Sequence, residues 1–376
     1  MLRFTAILSA SVVLAACGSS SKATEGSGAG ASGGDSGTGG SIGGGSGQAS
    51  GGQAGGAQGG AGGEPPRYVI TVHGLAYGNG SFVATASEYV HLHPSEARGV
   101  IFQSLDGSTW ERVQTNLPLV PNAIAYGNDR FVSLGSHFDD VSRTSTAVAY
   151  VSSDGVEWTT ADLPATSAGA LAFGDGYFLA GSELGYLRSE DGTTWENVGS
   201  QGKVGTTLAF AAGRFASRQV FETPKAWVGD GEEFTEVDVT GDPAYPVTFL
   251  RAVNDAFVGV SQVVITVETP TPMYRSMQFA SDDGLSWTRS VSLLTMALDI
   301  FADDGSLCAG LVLGKVQTGP TCDQMTASYS PSFFPLAVLA AEGKLFVGGG
   351  PTFSESLVAS DDGSTWLPML WPGHDP

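Results

Sequence analysis

Short apolar runs separated by brief polar interruptions recur along most of this chain. GLAYGNGSFVA from Gly74, AIAYGNDRFVS from Ala123, ALAFGDGYFLA from Ala170 and TLAFAAGRFAS from Thr207 each set an apolar run, a Gly/Asn/Asp turn and a second apolar run in succession. Weaker copies are LRAVNDAFVG from Leu250, DIFADDGSLCAG from Asp299 and VLAAEGKLFVG from Val338. An apolar run that reverses at a Gly/Asn/Asp pair and resumes is the pattern of a β-hairpin. Seven such hairpins predict seven structural units.

A second feature follows the hairpins: SLDGSTW (Ser104 to Trp110), SSDGVEW (Ser152 to Trp158), SEDGTTW (Ser189 to Trp195), VGDGEEF (Val228 to Phe234), SDDGLSW (Ser281 to Trp287) and SDDGSTW (Ser360 to Trp366). Its chemistry is that of a tight turn between strands. The Asp carboxylate accepts bonds from backbone N–H groups just ahead of it, the Gly supplies a positive φ, the Ser adds a local bond and the aromatic buries a large apolar face. Asp106, Asp154, Asp191, Asp230, Asp283 and Asp362 are therefore read as structural turn residues. The interval from each of the first five of these Asp residues to the next hairpin anchor stays between 24 and 27 residues, and the same register points to Asp323, in TCDQMTA, as a degenerate seventh copy.

A unit of about forty-five residues, made of a hairpin, a third strand, an Asp turn and a fourth strand, is a propeller blade. Seven of them predict an all-β fold, a seven-bladed β-propeller of four-stranded antiparallel blades over residues 64–376. In the third unit the strands are expected near Gly169–Phe173, Phe178–Gly181, Gly185–Ser189 and Trp195–Val198. The chain opens on a first strand, Val72–Tyr77, and closes on a fourth, Trp366–Leu370, so no strand need be exchanged between the terminal blades.

On these motifs the chain resembles the Asp-box, or BNR-repeat, propellers, the broad class with sialidase-like and photosystem-assembly-factor-like members. The resemblance covers the whole region after residue 63 and implies fold more than activity. Every copy here has one residue fewer between Asp and Trp than the usual S-x-D-x-G-x-T-W. Sialidase chemistry would need an arginine cluster, a Tyr with a Glu partner and an early Phe/Tyr-Arg-Ile-Pro-like segment, and Arg67-Tyr68-Val69-Ile70 does not match the last of these. A non-catalytic binding or scaffold role toward a protein or glycan is the reading preferred, with a sialidase-like glycoside hydrolase, or a degenerate relative of one, as the alternative. No catalytic residue is assigned.

The beginning of the chain addresses the protein rather than building the fold. Arg3 precedes the apolar run AILSASVVLAA, and Cys17 follows inside LAAC. This resembles a bacterial lipoprotein signal, residues 1–16, with Cys17 as the acylated residue. Gly18 after it fits an exported, lipid-anchored protein of the cell envelope, delivered to the outer membrane. Gly18 to Gly63 is almost wholly Gly, Ser, Ala, Gln and Thr, a composition that buries too little apolar surface to fold. As a flexible tether it would reach roughly 35–40 Å.

Charge narrows the partners. Lys and Arg total 17 against 38 for Asp and Glu, a formal net of −21, with no basic cluster. That excludes nucleic acid as an expected partner. No cofactor or metal is expected, since no EF-hand loop, P-loop, HExxH or GxSxG occurs. His91 and His93 could share one side of a strand, but no third metal ligand accompanies them. With Cys17 given to lipid, Cys308 and Cys322 remain, and an exported setting predicts that they pair as a disulfide between adjacent strands of unit six.

The expected binding face follows from where the repeat varies. Units one, two and five carry extra residues between their second and third strands, on the face opposite the Asp turns. Tyr89, His91, His93 and Glu96 of unit one and His137, Asp139, Asp140 and Arg143 of unit two are predicted to form a wall. Thr269, Tyr274 and Arg275 of unit five would face it across the ring.

Overall fold

In the computed structural model the described residues are 68–90, 96–139, 144–199, 207–218, 223–253, 255–266, 273–290, 301–303, 307–312, 315–320, 324–352, 355–369 and 371. They form a seven-bladed β-propeller in which every blade is a four-stranded antiparallel sheet in chain order. Blade 1 is β1 (Tyr68–Gly78), β2 (Ser81–Val90), β3 (Arg98–Ser104) and β4 (Glu111–Leu117); blade 2 is β5 (Pro121–Gly127), β6 (Arg130–Asp139), β7 (Thr144–Ser152) and β8 (Thr159–Asp162). Blade 3 is β9 (Ala168–Gly174), β10 (Tyr177–Ser182), β11 (Gly185–Ser189) and β12 (Glu196–Gly199), within a residue or two of the strands expected from sequence. Blade 4 is β13 (Thr207–Ala211), β14 (Arg214–Arg218), β15 (Lys225–Gly229) and β16 (Phe234–Asp238); blade 5 is β17 (Val247–Val253), β18 (Ala256–Thr266), β19 (Met273–Ser281) and β20 (Thr288–Ser290). Blade 6 is β21 (Phe301–Asp303), β22 (Cys308–Val312), β23 (Lys315–Gly319) and β24 (Ala327–Tyr329), and blade 7 is β25 (Phe334–Ala341), β26 (Lys344–Gly350), β27 (Leu357–Ser360) and β28 (Leu367–Pro368).

The core is a series of apolar layers between successive blades. Val83 and Ile101 of blade 1 pack with Ile124 and Phe131 of blade 2, and Leu134 and Val151 of blade 2 pack with Leu171 and Phe178 of blade 3. Close approach depends on glycine at the end of the innermost strand. Gly78, Gly127 and Gly174 each lie where a Cβ would enter the ring of the next blade's aromatic, Tyr126, Phe173 and Phe210 respectively.

The ring closes without strand exchange, as the sequence predicts. Ile70 of β1 exchanges backbone hydrogen bonds with Thr352 of blade 7, at 3.0 and 3.3 Å. Beyond β28, Trp371 is buried against blade 1: its ring centroid lies 4.1 Å from that of Phe102 and 5.9 Å from that of Trp110. Its indole N–H donates to Ser356 Oγ at 2.6 Å.

Two blades depart from the register of the others. In blade 7 Leu345 stands opposite the turn residue Ser360, and Phe346 packs against blade 1. In blade 6 Cys308 takes the place held by Phe82, Phe131, Phe178 and Phe257 elsewhere, and its cross-strand partner is Gly319. β23 ends at Gly319; Cys322, expected on the third strand, and Asp323 lie outside the described residues.

Candidate functional site

The propeller presents two unlike faces. One carries the turns within the inner hairpins together with the Asp turns. In blade 1 Asp106 Oδ1 accepts from the backbone N–H of Ser108 at 2.8 Å and of Thr109 at 2.7 Å, and from Ser104 Oγ at 3.1 Å. The Ser104 hydroxyl accepts from Gly107 N–H at 2.8 Å, and the Trp110 indole donates to Gly107 O at 3.3 Å. Asp154, Asp191, Asp230, Asp283 and Asp362 accept the same pair of backbone bonds. For Asp106 these bonds, Thr109 first, hold the carboxyl well below its usual range; for Asp191 they do so against the opposing push of burial.

The turn also does something the motif alone does not reveal. Its glycine, with φ between 71° and 96° in the six copies, lies against the preceding blade. A Cβ on Gly155 would come within 3.1 Å of Val83, one on Gly107 would crowd the Phe346 ring of blade 7, and one on Gly192 would meet Val132. Further bonds lace this face from blade to blade: Asn128 Nδ2 donates to Glu190 O at 3.0 Å, and the Tyr177 hydroxyl donates to Asp230 O. The Asp-turn carboxylates are thus satisfied within their own turns, while the turn glycines, Asn128 and Tyr177 hold neighbouring blades together.

The opposite face carries the connections between blades and the links from second to third strand. Here the extra residues of blades 1, 2 and 5 build strand rather than loop alone. β2 and β6 run to 10 residues and β18 to 11, against 6 in β10 and 5 in β14 and β22. Blades 1 and 2 are neighbours, so two tall hairpins rise side by side. Tyr89 is half-buried on β2 opposite Val69, and Glu96 is exposed just before β3. The backbones of His137 and Asp139 pair with Thr146 and Thr144 in β6–β7, and those of Tyr274 and Arg275 pair with Val264 and Val263 in β18–β19. His91, His93, Asp140, Arg143 and Thr269 lie outside the described residues.

Much of the charge on this face is already paired. Arg112 Nη1 lies 2.9 Å from both carboxylate oxygens of the buried Glu88. Glu183 accepts four bonds, from the N–H and hydroxyl of Thr166 and of Ser167, at 2.6 to 2.8 Å. Burial alone would raise its pKa, but these donors outweigh it and hold the group at about 2. Ser332 Oγ donates to Glu355 at 2.6 Å, and Lys225 pairs with Glu236 at 2.5 Å.

A feature absent from the sequence reading lies on the innermost strands. β1, β5, β9, β17 and β25 each contain a β-bulge, at His73, Asn122, Gly169, Thr248 and Leu336, and every one falls five residues before the strand's end. The bulges share no residue type, so no motif announces them. In blades 1 and 2 the bulge residue reaches the second strand: His73 Nε2 is 2.9 Å from Ser87 Oγ, and Asn122 Nδ2 is 3.2 Å from Ser136 Oγ. Burial lowers the His73 pKa to about 4, so the imidazole is neutral at physiological pH. Among the described residues no group of three or more His, Cys, Asp or Glu side chains is placed to hold a metal, and no helix is long and apolar enough to cross a membrane.

No protein-family model and no curated protein matches the chain. Solved structures do match it in shape. The β-propeller domain of the Trilobed protease from Pyrococcus furiosus, described as having an open velcro topology, aligns at TM-score 0.53 and 6% identity over 80% of this chain and 95% of its own. PorZ, a surface component of the type-IX secretion system of Porphyromonas gingivalis, aligns at TM-score 0.48 and 14% identity over 81% of this chain and 37% of its own. The β-fructofuranosidase BmSUC1 of Bombyx mori aligns at TM-score 0.32 and 14% identity over 80% of this chain and 90% of its own. At 6% identity the match to the Trilobed protease domain speaks to the β-propeller fold and to no activity.

Proposed function

We propose that this chain is a cell-envelope lipoprotein, a variant of the Asp-box propellers, anchored through Cys17 and presenting its propeller as a non-catalytic binding or scaffold surface. The observation that carries this reading is the division of labour between the faces. One face satisfies its Asp-turn carboxylates within their own turns and joins neighbouring blades through the turn glycines, Asn128 and Tyr177, while the other extends the second and third strands of two adjacent blades and of blade 5 beyond what the fold requires. Elements lengthened on a rigid scaffold are where binding groups concentrate. The ligand is a protein or a glycan, met by the hairpins that carry Tyr89, His91, His93 and Glu96 and those that carry His137, Asp139, Asp140 and Arg143, with Thr269, Tyr274 and Arg275 across the ring.

The test shortens both hairpins, over residues 87–98 and 136–146, and compares the shortened chain with the parent in a pull-down from envelope extract and on a glycan array. Loss of the captured partner with an unchanged melting temperature is expected. Capture that survives the deletions places the site elsewhere. Turnover of chromogenic glycosides that disappears on removal of one carboxylate from this face would replace the binding role with hydrolysis.

A further inference from the structure

One link between blades 1 and 2 is built from a chemically labile pair. Asn79-Gly80 is the one Asn-Gly sequence in the chain, and the fold sets it at the tip of the β1–β2 hairpin, where both residues are exposed. Both take the left-handed backbone that a two-residue hairpin turn requires, with φ of 48° and 72°. The Gly80 N–H has no hydrogen-bond partner among the described residues, and a Cβ on Gly80 would meet nothing within 4 Å. The backbone nitrogen that follows the Asn79 side-chain amide is therefore open.

That amide also spans the joint between blades. Asn79 Nδ2 donates to Ser153 O, in the Asp turn of blade 2, at 3.3 Å, longer than the usual ~2.9–3.0 Å of such a bond. Asn128, at the same place in blade 2, is held more firmly: its Nδ2 donates to Gly176 O at 2.5 Å and to Glu190 O at 3.0 Å, both in blade 3. Its successor is Asp129, whose side chain crowds the nitrogen beside it. Two equivalent asparagines thus differ in both restraint and neighbour.

We infer that Asn79 is a deamidation site, and that its modification loosens the joint between blades 1 and 2. Gly80 N attacks Asn79 Cγ and a C–N bond closes a succinimide ring; the Cγ–Nδ2 bond breaks, and ammonia leaves with the proton of the Gly80 N–H. Water then opens the ring at either carbonyl and leaves aspartate or isoaspartate. The reaction needs no other partner. Ring closure requires Asn79 to release Ser153 O and the turn to rotate, so in the folded chain it proceeds through local opening of the hairpin tip. Either product lacks the donor that reached Ser153 O and sets a carboxylate beside Asp154, so attraction across the joint becomes repulsion. Isoaspartate also adds a backbone carbon to the turn that pairs Gly78 with Ser81. The inference is independent of the ligand class proposed above.

The experiment incubates the purified chain in mildly alkaline buffer, with and without urea, and follows Asn79 and Asn128 by peptide mass and fragmentation. Cleavage after Arg67 and Arg98 leaves Asn79 as the sole asparagine of its peptide. The expected result is an amide-to-acid mass gain at Asn79 in two chromatographic forms, about tenfold or more faster than at Asn128 in the folded chain, and faster still in urea. Asn79→Ser should abolish the gain, and Asn79→Asp, which is one of the products, should lower the melting temperature. No gain at Asn79 in the folded chain, or equal rates at the two asparagines, overturns the site. An Asn79→Asp chain that melts with the parent overturns the loosening.

Discussion

Trp371 and Phe102 stand 4.1 Å apart between ring centroids, although one closes the described chain and the other lies on the third strand of blade 1. With no shared strand to join first and last blades, this pair, the Ile70–Thr352 bridge, Trp110 and Phe346 of blade 7 hold the seam. Trp371→Ala is expected to cost about 3–5 kcal/mol, as for other buried aromatic truncations. Chemical denaturation followed at equilibrium measures it; a loss below about 1 kcal/mol would mean that the seam is held elsewhere.

The Asp turns should matter to stability and not to binding. Asp191→Ala removes acceptors for Thr193 N–H, Thr194 N–H and Ser189 Oγ. The expected cost is about 1–2 kcal/mol, net of what water returns to the freed donors. These carboxyls have folded pKa values below their unfolded ones, so their contribution is present above about pH 4 and fades as pH falls below it. In thermal melts the gap between parent and variant should therefore be constant from pH 7 to about pH 4, begin to narrow below that, and close only well below pH 3.

His73 titrates in a separate window. Its folded pKa of about 4 lies below the ordinary 6.5, so the unfolded chain binds the extra proton first. Stability is then intact above pH 6.5 and declines as pH falls toward 4, by about 3 kcal/mol in all. His73→Gln should flatten that slope while leaving the decline below pH 4. A parent chain with no slope between pH 6.5 and 4 would show that the imidazole reaches solvent.

Cys308 is fully buried at the place where other blades hold a phenylalanine. Pairing with Cys322 would replace an aromatic contact by a covalent one, and closing the intervening loop contributes about 3 kcal/mol in the chain-entropy model. Alkylation of the denatured, unreduced chain should leave both thiols unmodified, and Cys322→Ala should lower the unfolding midpoint. Modification of both thiols without reductant would exclude the pair.

The blade count, the strand order and the open closure were legible because each rests on a local signal that recurs: Asp and Gly in a turn, an apolar run on either side, a fixed interval between them. The second duty of the turn glycine was not legible, since its contacts, such as Gly155 with Val83, come from another blade. The bulges at His73, Asn122, Gly169, Thr248 and Leu336 escaped for a different reason. They are set by strand register, and residues as unlike as glycine and leucine occupy them. The tall hairpins were seen as added length, but whether that length became loop or strand depended on cross-strand pairing that composition does not encode.

The notch that Gly127 leaves for Phe173, with Tyr126 filling the matching notch at Gly78, bears on how such a ring grows. Blades 2 and 3 each carry both halves of the joint, an aromatic to project backward and a glycine to receive. A duplicated copy of either would therefore seat beside its parent without new mutations. Blade 4 ends its first strand in Phe210 and Ala211 instead, so a tandem copy of it would bring a ring against a methyl group, and blade 5 ends in Ala252 and Val253 and carries neither half of the joint. Duplication by this joint is thus open to blades 2 and 3 and hindered at blade 4.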